Sequence, residues 1–302
     1  MAHSIEVISA FDPAAGGAGP RARSGRYVLL DVFTDTPLEG NQLAVFTDAR
    51  GISAEDMQRL ARELKLSETV FVLAPEHDGD VAIRIFTPAA ELPFAGHPVL
   101  GAAIVVASAV QQDAVTLETG RGAVVVRVRR EEGRVVSGWM HQPIPSWAPY
   151  GREGELLRAL GVERSGLPVE VYDNGPLHVY VELESAEAVA ALGPDLQALA
   201  ALGEVSVSCF AGSGRHWKTR MFSPALGVPE DPATGSAAGP LAVHLSRHGR
   251  IDFGEEIEIS QGREIARPSL LYAFAGGSPE RIESVEVGGS AVIVARGEFL
   301  LG

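Results

Sequence analysis

Two stretches of the sequence combine polar residues with turn-forming glycine and proline, and each precedes an apolar run. The first turn is Gly-His-Pro at residues 96–98, followed by the almost wholly apolar residues 99–110, and the second is Thr-Gly-Ser at residues 234–236. Both patterns predict a helix start, with His97 as the cap and Pro98 at the first helical position of the first helix. Free backbone amides at a helix start attract a carboxylate or a developing oxyanion. The expected chemistry is the binding of a small anionic ligand.

The two turns belong to a longer internal repeat. Phe-Thr-Pro-Ala at residues 86–89 precedes the first turn, and Phe-Ser-Pro-Ala at residues 222–225 precedes the second. A chain of 302 residues fits two domains of roughly 100–150 residues each. The repeat therefore predicts two similar domains. In the second copy Pro240 is expected near the first turn of the helix, where a missing amide donor costs least.

Composition excludes several classes of protein. A net charge of -14 with 46% hydrophobic residues indicates a globular chain that does not bind nucleic acid or anionic membranes, because such binding needs clustered Lys and Arg. Cys209 is the single cysteine, so no intramolecular disulfide is possible. The sequence has no apolar stretch of about 18 residues and no signal-peptide pattern, and we expect a cytoplasmic enzyme without a membrane partner.

The elements that must position the turns follow from hydrophobic periodicity. Residues 1–25, rich in Gly and Pro, are expected to be a mobile extension, and the first strand is expected from Tyr27. Ser53 is expected to cap a helix with one apolar face. Residues 99–110 are apolar on all sides, so this helix should be enclosed by a sheet. Further strands are predicted at residues 43–46, 66–73, 81–86, 123–128, 134–140, 168–172, 178–183, 205–210 and 218–222, and further helices near 153–160 and within 187–202.

One pair of histidines has the spacing of metal ligands. His244 and His248 are separated by one helical turn, which places both on the same face. No glutamate occupies the position of a zinc-protease base, and the sequence suggests no third ligand. No metal site is predicted.

Seven segments carry a resemblance to a known family: residues 41–46 (Asn-Gln-Leu-Ala-Val-Phe), 66–71 (Leu-Ser-Glu-Thr-Val-Phe), 91–98 (Glu-Leu-Pro-Phe-Ala-Gly-His-Pro), 142–147 (Gln-Pro-Ile-Pro-Ser-Trp), 172–178 (Tyr-Asp-Asn-Gly-Pro-Leu-His), 209–217 (Cys-Phe-Ala-Gly-Ser-Gly-Arg-His-Trp) and 230–240 (Glu-Asp-Pro-Ala-Thr-Gly-Ser-Ala-Ala-Gly-Pro). Together they closely resemble the phenazine-biosynthesis PhzF family, over about residues 27–300. The resemblance implies an α+β, diaminopimelate epimerase-like fold of two similar domains, each a β-barrel-like sheet around a central helix, with the site in the cleft between them. The first domain is expected at residues 26–142, completed by the last strand at about 286–302, and the second at residues 143–285.

The resemblance also implies an activity and the residues that carry it. It implies a cofactor-free homodimer that isomerises trans-2,3-dihydro-3-hydroxyanthranilate to an aminoketone. Glu68 matches the acid/base glutamate of the family, and His97 and Asp231 match partners of the amino and hydroxyl groups of the substrate. Epimerase relatives use two cysteines, and a single Cys209 rules out their two-thiol mechanism. The expected substrate-binding residues are Ser67, Gly96, Gly235 and Ser236.

Alternatives to this interpretation remain open. Glu68 could be a solvent-facing residue at a strand end, and His97 and Asp231 could serve only as helix or turn caps. The protein could isomerise or epimerise another small carboxylate, or bind a small anion without catalysis. His178 and Arg215 could reach the cleft, but the sequence assigns them no role.

Overall fold

A computed structural model describes residues 23–301. The chain divides into two compact units: unit 1 comprises residues 23–38, Gln42–Met140 and residues 289–301, and unit 2 comprises Glu39–Asn41 and His141–Gly288. Of the segment predicted to be a mobile extension, residues 1–22 lie outside the described residues. Residues 23–25 are instead the start of the first strand, because they pair with residues 299–301.

The described residues form an α+β structure, as predicted. Two short 3₁₀ turns, at Pro224–Leu226 and Arg263–Ile265, complete the regular structure. In chain order the elements are β1 (Arg23–Val32), β2 (Asn41–Phe46), α1 (Ala54–Leu64), β3 (Glu68–Leu73), β4 (Val81–Phe86), β5 (Glu91–Leu92), α2 (Gly96–Val110), β6 (Ala114–Thr119), β7 (Gly122–Glu131), β8 (Arg134–His141), β9 (Ser146–Pro149), α3 (Glu153–Leu160), β10 (Glu170–Asp173), β11 (Leu177–Glu182), α4 (Ala186–Ala190), α5 (Leu196–Ala200), β12 (Ser206–Ser213), β13 (His216–Ser223), β14 (Val228–Asp231), α6 (Gly235–Arg247), β15 (Glu256–Gln261), β16 (Ser269–Ser278) and β17 (Arg281–Leu301).

Helix α2 is the centre of unit 1. Its residues from Gly96 to Ala107 are buried, and it contacts strands β1, β3, β6 and β7, which confirms the predicted enclosed helix. A Cβ atom on Gly101 would lie 2.5 Å from Leu43 Cδ2 and 2.9 Å from Val32 Cγ2. Because a close-packed interior has no room for an additional methyl group, glycine at this position lets the helix approach the strands closely.

The start of α2 differs from the prediction. Ala95 is the N-cap residue and makes no side-chain capping bond, Gly96 is the first helical residue, and His97 is the second. His97 is therefore not the cap. Pro98 is tolerated as the third helical residue because the first amides of a helix have no intrahelical partner.

Strand pairing in unit 1 fixes the position of Glu68. Strand β3 begins at Glu68 and pairs in parallel with β2, with Leu43 opposite Glu68, and in antiparallel with β4. Helix α1 packs its apolar face through Met57, Leu60 and Ala61. As predicted, it is capped by Ser53, whose hydroxyl accepts a hydrogen bond from the Asp56 amide at 3.1 Å.

Helix α6 is the centre of unit 2. Its residues from Gly235 to Ser246 are buried, and strands β11 and β16 contact it. Strands β11 and β12 pair in parallel, as do β13 and β15, whereas the other pairings of unit 2 are antiparallel. The Ala-rich segment near residues 187–202 forms two short helices, α4 and α5, capped by Ser185 and Asp195.

Pro240 lies deeper in its helix than predicted. It is the sixth residue of α6, and the helix continues past it to Arg247. A helical residue at position 240 would normally donate its amide to the carbonyl of Ser236, and proline has no amide hydrogen. The Asn174 side chain supplies the missing donor, because its Nδ2 lies 2.9 Å from that carbonyl oxygen. A long-range side-chain contact therefore makes the interior proline tolerable.

None of the helices in the described part of the chain has the length and apolar character needed to cross a lipid bilayer.

Candidate active site

In unit 1 the structure brings Glu68 and His97 together. Glu68 is the first residue of β3 and His97 lies in the first turn of α2. The Glu68 Oε2 atom is 3.5 Å from His97 Nε2, and the two side chains are 15% and 4% exposed. Ser67 and Gly96, both predicted to contact substrate, are the sequence neighbours of this pair. The result is a carboxylate with little solvent access beside an imidazole.

His97 is neutral at physiological pH. Burial removes the solvent that would stabilise an imidazolium, and it lowers the pKa of His97 to about 3 against the opposing effect of a hydrogen bond with the Gln42 backbone. The contact with Glu68 is therefore not an ion pair. A neutral imidazole can donate one hydrogen bond and accept another, or transfer a proton to a nearby group, and it does not cancel the charge of the Glu68 carboxylate beside it.

In unit 2 a buried polar network holds Asp231, the last residue of β14. Its Oδ1 accepts a hydrogen bond from Asn41 Nδ2 at 2.9 Å, and its Oδ2 accepts one from the Thr234 hydroxyl at 2.5 Å. Gln261 Nε2 donates to the Asp231 carbonyl at 2.8 Å and to the Thr234 hydroxyl at 3.0 Å. Asp231 is not the helix cap, because Thr234 is the N-cap residue of α6. The network instead fixes the orientation of the carboxylate.

Three side chains from different parts of unit 2 hold the first turn of α6, where Gly235 and Ser236 are located. Each donates a hydrogen bond to one of three successive carbonyl groups. The carbonyls are thereby satisfied, and the helix start is fixed against the surrounding strands. The donors are Gln142 Nε2 to the Gly235 oxygen at 2.9 Å, Asn174 Nδ2 to the Ser236 oxygen at 2.9 Å and the Tyr180 hydroxyl to the Ala237 oxygen at 2.6 Å.

Ser236 also has a side-chain partner that the sequence did not assign. His178 Nε2 lies 3.1 Å from the Ser236 hydroxyl oxygen. His178 was noted in the sequence without a role, whereas Asn41, Gln142, Asn174 and Gln261 were not identified as site residues. Their partners are between 27 and 192 positions away in the chain, so no local pattern indicates these contacts.

A second cluster lies at the other end of α6. His244 and His248 both approach Glu170, whose Oε2 is 3.3 Å from His244 Nδ1 and 3.0 Å from His248 Nε2. Three potential ligand atoms of these residues lie within 4.8 Å of one another, so Glu170 is a third member of this cluster that the sequence did not suggest. Arg247 also donates to Glu170 Oε2, at 2.7 Å, and its guanidinium stacks over Trp147 at 4.1 Å. A cation in this position repels a second cation, which favours an ion-pair network over a metal site.

The electrostatics of Glu170 agree with this interpretation. Burial alone would raise the pKa of Glu170, but hydrogen bonds from His244, Arg247, His248 and Tyr172 outweigh it and hold the pKa well below its usual range. Arg215 lies elsewhere, in a solvent-exposed ion pair with Glu256. Cys209 is buried, and burial raises the pKa of its thiol to about 12, so it is not a reactive thiolate.

Comparisons with known proteins agree with the family resemblance that the sequence indicates. The pattern of the family described as phenazine biosynthesis-like protein (PhzC-PhzF) matches residues 30–297. A curated Pseudomonas aeruginosa protein named trans-2,3-dihydro-3-hydroxyanthranilate isomerase is 55% identical over 276 residues, which cover 91% of this chain and 99% of that protein.

Solved structures show the same fold. A PhzF-family protein from Bacillus anthracis superimposes with a TM-score of 0.81 at 24% identity, covering 92% of this chain and all of that one. A hydroxyproline epimerase from Agrobacterium vitis superimposes with a TM-score of 0.62 at 11% identity, covering 91% and 92%. The predicted epimerase-like fold is therefore confirmed. The chain belongs to the phenazine biosynthesis-like PhzC/PhzF family and is an isomerase.

Proposed function

We propose that the chain isomerises trans-2,3-dihydro-3-hydroxyanthranilate to an aminoketone, a step of phenazine biosynthesis. A relative of that name is 55% identical over most of both chains. The observation that carries the proposal is the Glu68 carboxylate, sheltered from solvent and 3.5 Å from His97, an imidazole that burial keeps neutral. A protein that only binds an anion does not need a carboxylate base.

Glu68 acts as both base and acid. It removes the proton from the ring carbon that carries the hydroxyl group, and each of the two ring double bonds shifts by one position. It then returns that proton to the ring carbon that carries the carboxylate. One C–H bond breaks and one forms, and the resulting enol tautomerises to the ketone. A single positioned carboxylate suffices for such a transfer, which needs no cofactor.

His97 and Asp231 serve as partners of the amino and hydroxyl groups of the substrate. A neutral imidazole can donate to one group and accept from another, and it is able to supply a proton in the final tautomerisation. The Asp231 carboxylate, oriented by Asn41 and Thr234, suits a group with N–H or O–H donors. The pair therefore gives the two polar substituents of the ring distinct partners.

Backbone groups and one hydroxyl bind the substrate carboxylate. The amide of Gly235 and the hydroxyl of Ser236, at the start of α6, are suited to an anion because the first amides of a helix are free donors. Ser67 and Gly96 precede Glu68 and His97 in the sequence and contact the substrate beside this pair. Glycine at positions 96 and 235 leaves the backbone accessible to the ligand.

The test is conversion of trans-2,3-dihydro-3-hydroxyanthranilate in deuterated buffer, followed by NMR of the ring protons. The wild type is expected to convert it, and Glu68→Gln is expected to lose about 10²–10⁴-fold in rate, the usual contribution of acid/base catalysis. Glu63→Gln makes the same charge change at an exposed position of α1 and should retain activity. An active Glu68→Gln variant would contradict the role of Glu68.

An inactive but folded wild type would move the proposal to another small carboxylate as substrate, or to a small-anion binding protein. The homodimer, the cytoplasmic location and the domain boundaries near residues 142 and 286 stay predictions. The dimer is tested by sedimentation, which should give about twice the chain mass of 31.8 kDa. A sedimenting mass equal to one chain at working concentrations would contradict it.

A further inference from the structure

The imidazole of His178 contacts the Ser236 side chain. His178 is in β11, its side chain is 1% exposed, and its Nε2 is 3.1 Å from the Ser236 hydroxyl oxygen. Either group can be the donor in this hydrogen bond, since serine both donates and accepts, and neutral histidine carries a hydrogen on one nitrogen only. The direction of the bond decides what Ser236 can offer to a ligand.

The surroundings of the ring select one direction. Burial lowers the pKa of His178 to about 3, against a weaker effect of the Asp173 carboxylate, so the ring is neutral. Its Nδ1 is buried and has no hydrogen-bond partner among residues 23–301. A buried N–H group without an acceptor is rarer and costlier than an acceptor without a donor. The ring hydrogen therefore belongs on Nε2, which donates to Ser236.

A donor from His178 leaves the hydrogen of the Ser236 hydroxyl available. A carboxylate can only accept hydrogen bonds, so Ser236 can bind one only if its hydroxyl hydrogen is not used elsewhere. If Ser236 donated to His178, it would present only lone pairs to the anion. The position and protonation of one ring thus determine whether this hydroxyl attracts or repels a carboxylate.

We propose that His178 is a positioning residue that, through its Nε2–H group, holds the Ser236 hydroxyl as a hydrogen-bond donor to the substrate carboxylate. This inference rests on the proposed role of Ser236 in carboxylate binding. It adds a residue that does not touch the substrate and acts through the serine. Because the substrate carboxylate is charged before the proton transfer and throughout it, we expect the effect mainly in substrate binding and less in the chemical step.

Two substitutions separate positioning from packing. His178→Gln keeps an N–H donor near the position of Nε2, whereas His178→Leu keeps apolar volume and removes the donor. We expect His178→Leu to raise KM by about 10–100-fold with kcat nearly unchanged, the range for losing a hydrogen bond to a charged group. His178→Gln should stay within about threefold of the wild type.

A double substitution tests whether the effect passes through the serine. In a Ser236→Ala background, His178→Leu should cause little further loss, because no hydroxyl is left to orient. A role in packing alone would give the same loss in both backgrounds. Equal weakening by the Gln and Leu variants, with native circular dichroism, would overturn the inference, and so would a full effect in the Ser236→Ala background.

Two measurements keep this test independent of turnover. Calorimetric titration with anthranilate should show similar affinities for the wild type and His178→Gln and a weaker affinity for His178→Leu. The control ligand is 2-aminobenzamide, which lacks the carboxylate. If the wild type converts trans-2,3-dihydro-3-hydroxyanthranilate but the variants do not show this order of affinities, only the role of His178 is refuted. If the variants show this order but the wild type converts no substrate, only the proposed reaction is refuted. If the wild type does not bind anthranilate, the inference is overturned. Long-range ¹H–¹⁵N NMR, assigned with His178→Gln, should show the Nε2–H tautomer, and an Nδ1–H tautomer would also overturn it.

Discussion

The interior proline of α6 and the amide of Asn174 should be energetically coupled. Pro240 cannot donate to the Ser236 carbonyl, and Asn174 Nδ2 does so from 2.9 Å. Asn174 and Ser236 are both buried, at 4% and 7% exposure. Asn174→Ala would leave this carbonyl without a donor, and a buried polar group without a partner costs about 1–3 kcal/mol of the free energy of unfolding.

The same carbonyl can be satisfied in a second way. Pro240→Ala introduces an amide at the position from which a helix normally donates to Ser236. In that background Asn174→Ala should cost about 1–2 kcal/mol less than in the wild type, because the new amide takes over the bond. Proline also restricts the unfolded chain, by about 0.4–1 kcal/mol, but this term occurs in both arms of the cycle and cancels.

The assay is denaturant unfolding of the wild type, the two single variants and the double variant. Tryptophan fluorescence and far-UV circular dichroism should give coincident transitions, which is the condition for comparing free energies. Hydrogen exchange of the amide that Pro240→Ala introduces is a direct check, since a bonded amide is protected. An equal cost of Asn174→Ala in both backgrounds, with this introduced amide unprotected, would refute the idea that Asn174 replaces a helical donor.

Three further predictions concern other parts of the chain. Gly262→Ala should destabilise the protein by about 1–3 kcal/mol and reduce turnover in the NMR assay, because Gly262 has φ +79° and an added Cβ would lie 2.5 Å from the oxygen of Pro232, the residue after Asp231. The control is Gly249→Ala, at φ +68° with nothing within 4 Å, which should cost less stability. Equal losses of stability in thermal unfolding would contradict the steric argument. Glu170→Gln should cost about 3 kcal/mol or more in denaturant unfolding, because it leaves the Arg247 guanidinium without its carboxylate; a loss below about 1 kcal/mol would show that the network is not stabilising. His178 has a folded pKa of about 3 against an ordinary 6.5, so its neutral form contributes stability that is present above pH 6.5 and lost as the pH falls toward 3. His178→Gln should reduce the slope of the free energy of unfolding against pH in this range by up to about 1.4 kcal/mol per pH unit. An unchanged slope would contradict the burial of a neutral ring.

Local patterns predicted the parts of the fold that local interactions determine. Ser53 was predicted as a cap because a serine before an apolar periodic segment bonds an amide three residues on, and it does so. The enclosed helix α2 was predicted because its sequence has no polar face. The start of α2 was misplaced because Ala95 has no side-chain capping bond, so the histidine and proline that follow it were the strongest local signals.

The surroundings of the candidate site could not be predicted in the same way. Asn41 bonds Asp231 across 190 positions, and Gln142 bonds the Gly235 carbonyl across 93. A single asparagine or glutamine is compatible with a surface turn as well as with a buried network, and only the folded backbone decides between them. The tolerance of Pro240 inside a helix depends on one such distant amide.

The pairing of β1 with β17 has a consequence for the order in which the chain can fold during synthesis. Residues 23–32 pair with residues 291–301, so one edge of β1 has no partner until residues 291–301 have left the ribosome. Residues 141–288 of unit 2 are contiguous and can pair earlier. Until residues 291–301 have been synthesised, unit 1 therefore exposes a strand edge that can pair with other chains. Truncation before residue 291 should thus yield an aggregating product even though all the proposed site residues are present.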